Sequence, residues 1–179
     1  TDEEMRARCI ELLEQSAKIS TDKLKFFRLA FGAAGGFGDN VPVEEAQEVI
    51  AALASDAKRV ELNWAIASSS LPKPAVKVML NLANIGLDAL VRGGTLDVGI
   101  EVRDDATEIV VRAAGPKIAF DPVIGDALGG RMDPAELTGR TAPAHLLAML
   151  ADKEGGLIQT HAEVGTLLMG ATLPNGGSN

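Results

Sequence analysis

The sequence predicts an α+β protein in which one long helix precedes a two-layer sandwich of helices packed on a mixed sheet. Apolar side chains repeat at intervals of three and four over the first 31 residues. Beyond residue 40, stretches with helical spacing alternate with stretches of strand spacing, and a glycine-rich segment separates the two patterns. We therefore expect a helical segment at 1–36, a sandwich at 37–174 and a disordered tail at 175–179.

The long helix carries two apolar lines, and one neighbouring helix can cover only one of them. A capping box at Thr1 and Glu4 predicts its start, and Gly32 predicts its end. The pattern predicts a helix that stands apart from the sandwich and has at least two helical neighbours, one in a hairpin and one across a two-fold axis. The first line comprises Leu13, Ala17, Ser20, Leu24, Phe27 and Phe31, and the second Leu12, Ile19, Phe26 and Ala30.

The composition excludes several classes of protein. A net charge of −8 argues against binding to nucleic acid, which needs clustered basic residues. The chain has neither an apolar run of membrane-spanning length nor a secretory leader, so we expect a cytoplasmic protein without a membrane partner. Cys9 is the only cysteine, and its place on the helix predicts a small buried hydrophobe. Since the chain opens on Thr1 rather than Met, we expect that a preceding segment was removed.

The first half of the sandwich contains two helices and a strand. Pro42 and two glutamates open a helix that ends near Lys58, with apolar residues at helical spacing. Residues 60–66 alternate as a half-buried strand, and 68–74 form a loop. The helix at 75–91 carries one buried face, and the glycine pair after it ends the helix. The apolar positions of the two helices are Ala46, Val49, Ile50 and Leu53, and Val76, Met79, Leu80, Ala83, Leu87 and Leu90.

The second half adds four strands and one clear helix. Strands at 95–103 and 107–115 are joined as a hairpin, and Leu96, Val98, Ile100 and Val102 form the inward row of the first strand. Only short helical pieces are expected between residues 116 and 140. A helix follows at 142–153, and strands at 157–164 and 165–173 complete the sheet. We expect Met79, Met149 and Met169 to fill the core.

Three motifs occur in the order of the ATP-binding domain of histidine kinases. VKVMLNLANIGLDALVRGGTLDV (76–98) resembles the kinase N box, LTGRTAPAHLLAMLADKEGGLIQT (137–160) the second glycine box, and GTLLMGATLP (165–174) the final strand. The resemblance covers most of 42–174 and implies a GHKL-type ATPase-like α/β sandwich.

The chemistry of the kinase site is missing from these motifs. Asn81 occupies the earlier N-box position, but Ile85 replaces the asparagine that holds Mg²⁺, and Asn84 is one residue out of register. Thr141 begins the sequence Thr-Ala-Pro-Ala that replaces the phosphate-binding glycines, and its proline lacks an amide hydrogen. The adenine-binding Asp-x-Gly-x-Gly is absent from RAAGPKIAFDPVIGD. We expect a degenerate site at Asn81, Ile85 and Thr141 that binds no ATP, metal or other cofactor.

The long helix narrows the resemblance. KLKFFRLAFGAAG at its end, followed by a degenerate ATP-type domain, resembles the ChpT-type histidine phosphotransferases of alphaproteobacterial two-component systems. This resemblance implies a homodimer whose helical hairpins form a four-helix bundle, and which relays phosphoryl from the receiver domain of a hybrid kinase to response regulators. The helix at 1–36 is then the second of the hairpin. The acceptor His is expected on a first helix absent from this chain, opposite Phe27, Arg28 and Phe31, which would bind the partner.

Other interpretations remain open at this point. His145 and His161 are chemically able to accept phosphoryl, but a structural role suits both better, because neither is expected on a long exposed helix. The chain could also be a non-catalytic dimeric adaptor that docks receiver domains, or a kinase that retains ATP binding.

Overall fold

A computed structural model of the chain describes residues 1–32, 38–57 and 59–175 and confirms the α+β class. Helices within these ranges are α1 (Asp2–Phe31), α2 (Val43–Ala57), α3 (Lys73–Ala89), α4 (Pro122–Leu128) and α5 (Ala142–Lys153), with a 3₁₀ turn at Pro134–Glu136. Strands are β1 (Asn40–Pro42), β2 (Val60–Ile66), β3 (Ser70–Pro72), β4 (Gly94–Val102), β5 (Ala106–Ala114), β6 (Leu157–Glu163) and β7 (Thr166–Pro174).

The main sheet has the strand order β2-β4-β5-β7-β6. Strand β2 runs parallel to β4, and the other neighbours are antiparallel. Helices α2, α3 and α5 pack on one face of this sheet. Alternate strand residues such as Ile109 and Val111 point into that layer and are completely buried, whereas Val110 between them is exposed on the opposite face. The predicted two-layer arrangement is therefore present.

The structure contains a second, two-stranded sheet that the sequence pattern did not predict. Strands β1 and β3 pair antiparallel, and their central residues Val41 and Leu71 face each other and are completely buried. Residues 68–74 are therefore not a simple loop, and α2 begins at Val43, after β1. Strands of three residues that contain proline show no readable alternation, so only their burial reveals them.

Helix α1 begins with the predicted capping box: the Thr1 hydroxyl accepts a hydrogen bond from the Glu4 amide at 3.4 Å. Residues 1–18 are all exposed in the described structure. The last two turns differ from the prediction, because Phe26, Leu29 and Ala30 are buried against α2 and α3. The second apolar line therefore ends against two helices of the sandwich, not against a helix of the expected hairpin.

Polar contacts add to this junction. Lys18 forms an ion pair with Asp22 at 2.7 Å on α1 and approaches Asp56 of α2 at 3.8 Å. Arg28 approaches Glu45 of α2 at 3.9 Å. These contacts fix the side of α1 that faces α2.

Four single residues differ from expectation. Cys9 is exposed, because no other element of the described chain reaches that part of α1. Met149 lies on the outer face of α5 and Val102 at the solvent end of β4, and both are exposed. Asn175, placed in the expected tail, is ordered: its amide donates to the Asp105 carbonyl at 2.9 Å, and its side-chain oxygen accepts from Thr107.

Some expectations lie outside the described residues. They concern the glycine-rich segment at 33–37, the end of α2 at Lys58 and the tail at 176–179. Among the described helices, none is both long enough and apolar enough to cross a membrane.

Candidate functional site

A cleft of about 650 Å³ lies between the end of α1 and the sandwich. Side chains of α1, α3 and α5 and of the segment that leads into α4 line it. Its aromatic lining comes from Phe26, Phe27 and Phe31 on α1 and from Phe120 before α4. The polar lining comprises Lys23, Asn81, Asn84, Asp88, Asp121 and Arg140.

One face of α3 forms the floor of the cleft. Asn81, Asn84, Ile85 and Asp88 are spaced by three and four residues, so they project from the same side of the helix. The Asn81 amide nitrogen donates to the Lys77 carbonyl one turn earlier, at 2.8 Å, and its side chain is buried. The structure thus places Asn81 and Ile85 in the lining of the same cleft. Asn84 lines the cleft as well, although it is out of register with the kinase motif.

The start of α5 forms one wall, through Pro143 and Ala144. Thr141 does not line the cleft: it is buried before α5, where its hydroxyl accepts from the Thr138 amide at 3.0 Å. The Ala142 amide donates to the Thr138 carbonyl at 2.9 Å, and Pro143 has no amide hydrogen. Two of the backbone donors that a phosphate would need at this helix start are therefore used or absent.

Charged groups of both signs surround the cleft. Arg140 forms an ion pair with Asp121 at 3.1 Å, and Asp121 also caps α4 by accepting from the Val123 amide at 3.0 Å. Asp88 lies at the cleft mouth, where its side chain reaches solvent. Partial desolvation raises the pKa of the Asp88 carboxyl, and the positive charge of Lys23 opposes that shift.

The three predicted partner-binding residues do not share one surface. Phe27 and Phe31 stack with their ring centroids 5.9 Å apart, and both line the cleft. Arg28 points to the α2 side of the same helix, where it approaches Glu45, and most of its side chain is exposed. A partner that contacts all three must therefore wrap around the end of α1.

Neither histidine lies in the cleft lining. His145, in the first turn of α5, is half-buried, and its Nδ1 atom is enclosed without a hydrogen-bond partner. His161 is exposed on the edge strand β6, with its Nε2 atom 4.0 Å from a Glu163 oxygen. In the described part of the chain, no three His, Cys, Asp or Glu side chains come together as a metal site requires.

The sequence motifs identify the α3 residues of the cleft but not the charged residues around it. Lys23, Asp88, Asp121 and Arg140 belong to elements far apart in sequence, and each resembles an ordinary surface charge. The one available signal was that Asp88 follows Asn84 and Ile85 at helical spacing.

Solved structures share the sandwich fold. The mycobacterial sensor histidine kinase MprB matches 75% of this chain and 95% of its own, with a TM-score of 0.56 and 14% identity. The full-length structure of ShkA in complex with AMPPNP matches 94% of this chain and 38% of its own, with a TM-score of 0.53 and 18% identity. At these identities the likeness concerns the fold alone.

Closer similarities define the family. A structure described as a bacterial phosphotransferase matches 92% of this chain and 78% of its own, with a TM-score of 0.79 and 27% identity. The protein phosphotransferase ChpT of Brucella abortus (strain 2308) is 30% identical over 160 residues, which cover 89% of this chain and 76% of that protein. The family model of the histidine phosphotransferase C-terminal domain matches residues 43–166. This chain therefore belongs to the histidine phosphotransferase family.

Proposed function

We propose that the protein relays phosphoryl groups from the receiver domain of a hybrid histidine kinase to response regulators, and that it does so without binding ATP. Membership of the histidine phosphotransferase family supports the relay. The cleft supports the second part, because it is lined by residues of the motifs that resemble the kinase nucleotide boxes but presents Ile85 and Pro143 among them.

Electrostatics of the cleft also disfavour a nucleotide. Within the described chain, Asp88 places a carboxyl group without an ion pair in the lining, and it would repel a triphosphate. Arg140 could attract phosphate, but its guanidinium is already paired with Asp121 at 3.1 Å. Lys23 is then the one lining cation without an ion pair among the described residues.

We also propose that the protein is a homodimer. Leu13 and Leu24 are each 69% exposed, although both lie on one apolar line of α1. In a four-helix bundle, a hairpin neighbour and a two-fold related copy would cover this line. Burying these side chains would remove a contiguous apolar surface from water.

Docking of receiver domains at the end of α1 completes the proposal. Phe27 and Phe31 supply exposed aromatic surface, and Arg28, which is mostly exposed and only 3.9 Å from Glu45 at its nearest approach, supplies a cation for a phosphorylated partner. The acceptor must present an imidazole nitrogen in line with an aspartyl phosphate. Half-buried His145 and the edge-strand His161 are poorly placed for this, so we propose an acceptor histidine outside these 179 residues, on a helix that pairs with α1.

Transfer from a labelled, phosphorylated receiver domain to the full-length protein tests this function. We expect the double variant His145→Ala, His161→Ala to accept phosphoryl at the wild-type rate. Arg28→Ala should slow transfer by about tenfold or less, since a charge at an interface rim acts mainly on association. Loss of labelling in the folded double variant would contradict the assignment of the acceptor. Receiver binding without transfer would favour the adaptor.

A further inference from the structure

Asn175 fastens the end of β7 to the turn between β4 and β5. Its backbone amide donates to the Asp105 carbonyl at 2.9 Å, and its side-chain nitrogen donates to the Arg103 carbonyl. Its side-chain oxygen accepts from the hydroxyl of the buried Thr107 at 2.8 Å. The side chain therefore uses both a donor and an acceptor to hold the turn.

This contact requires an amide, and a carboxylate could not replace it. The Arg103 carbonyl can only accept, so the group that faces it must carry a hydrogen. A carboxylate would instead set an oxygen against that carbonyl oxygen, and its charge would add to those of Asp104 and Asp105 in the turn. The Arg103 guanidinium is already paired with Glu101 at 2.9 Å and Glu108 at 3.2 Å.

The residue that follows in the sequence makes this same amide chemically labile. A backbone amide nitrogen can attack the side-chain carbonyl carbon of the asparagine before it, and glycine hinders the attack least because it has no Cβ. Asn175 is the one asparagine that a glycine follows, namely Gly176. Bulkier residues follow the earlier asparagines, which are Asn40, Asn63, Asn81 and Asn84.

We propose that Asn175 is a deamidation site and that its conversion releases the end of β7 from the β4–β5 turn. A bond forms between the Gly176 amide nitrogen and the side-chain carbonyl carbon of Asn175, which closes a succinimide ring. The side-chain nitrogen leaves as ammonia together with the Gly176 amide proton. Water then opens the ring at either carbonyl and gives aspartate or isoaspartate. Aspartate lacks the donor for the Arg103 carbonyl, and isoaspartate also inserts its Cβ into the backbone.

The fold should control the rate of this reaction, because the side chain must first leave its hydrogen-bond partners. Thr107→Val keeps the shape of the buried side chain and removes the donor to Asn175. It should speed deamidation about two- to tenfold, the factor that one hydrogen bond contributes to an opening equilibrium. Thr95→Val makes the same change at the opposite end of the β4–β5 hairpin and should leave the rate unchanged.

Mass spectrometry of peptides from the full-length protein, aged at mildly alkaline pH with and without urea, measures conversion at each asparagine. Asn175 should convert faster than the other asparagines, faster still in urea, and more slowly in Gly176→Ala. No receiver domain is needed, so this proposal and the phosphotransfer proposal can fail separately.

Thermal unfolding measures the structural consequence. Asn175→Asp should lower the melting temperature by about 2–6 °C, whereas Asn40→Asp, the same change at an exposed residue, should have little effect. Absence of conversion at Asn175 in the aged protein, an unchanged rate in Thr107→Val, or an Asn175→Asp protein as stable as the wild type would each overturn the proposal.

Discussion

Gly94 is the first residue of β4, a strand that packs against α3, the helix at the floor of the cleft. Its φ is +141°, and a Cβ at this position would lie 2.1 Å from the Ala114 carbonyl oxygen. Gly94→Ala should therefore lower the free energy of unfolding by about 2–4 kcal/mol, through backbone strain and a steric clash. On the same strand, a Cβ at Gly99 would meet nothing closer than 3.8 Å, so Gly99→Ala should change stability by less than about 1 kcal/mol. Urea denaturation of both variants measures the difference, and equal losses would contradict this account.

Asp88 gives a prediction about pH. Partial desolvation raises the pKa of its carboxyl more than Lys23 lowers it, so the folded state binds the proton more tightly than the unfolded state does. The charged side chain therefore destabilises the fold, fully so above its raised pKa and not at all well below the ordinary value of 3.8. Asp88→Asn should raise the melting temperature at neutral pH, with a gain that disappears as the pH falls below 3.8. A gain that persists unchanged in acid would show that removal of charge is not its cause.

Among the elements, α1 depends on its last two turns for attachment to the sandwich. Leu29 is buried against α2 and α3, so Leu29→Ala should lower the free energy of unfolding by about 2–5 kcal/mol. Leu146 on the outer face of α5 is half-exposed, and Leu146→Ala makes the same chemical change at a cost below about 1 kcal/mol. Denaturant titration of the two variants compares their free energies of unfolding. Similar losses would mean that α1 is not held by this contact.

The elements also show what could be read from the sequence. Helix α5 and strand β2 were predicted at their observed bounds, because side-chain periodicity, and for α5 the glycines that follow it, are local signals. The pairing of β1 with β3 could not be predicted, because each three-residue strand depends on a partner about thirty positions away. Within the cleft, Asn81 and Ile85 were identified by motif. Phe120 and Arg140 could not be identified in this way, since only the tertiary fold brings their loops to α3.

For the whole molecule, the exposed apolar line of α1 leads to a prediction about assembly. Leu24 is 69% exposed in the single chain, and a bundle interface would bury it. Leu24→Glu should convert a dimer into monomers, because the buried carboxylate would lack a partner. Light scattering of wild type and variant measures the change, and Lys25→Glu on the neighbouring side of α1 is the control. A wild-type protein that is monomeric at all concentrations would contradict the proposed homodimer.

The central claim is that phosphoryl enters this protein from another phosphoprotein and not from ATP. The decisive measurement incubates the full-length protein either with labelled ATP and Mg²⁺ alone or with a labelled, phosphorylated receiver domain, and then adds a second receiver domain. We predict no label from ATP, and from the receiver an acid-labile, base-stable phosphohistidine whose label passes on to the second receiver. Labelling by ATP alone, or no uptake from any phosphorylated receiver domain of the same organism, would contradict the account.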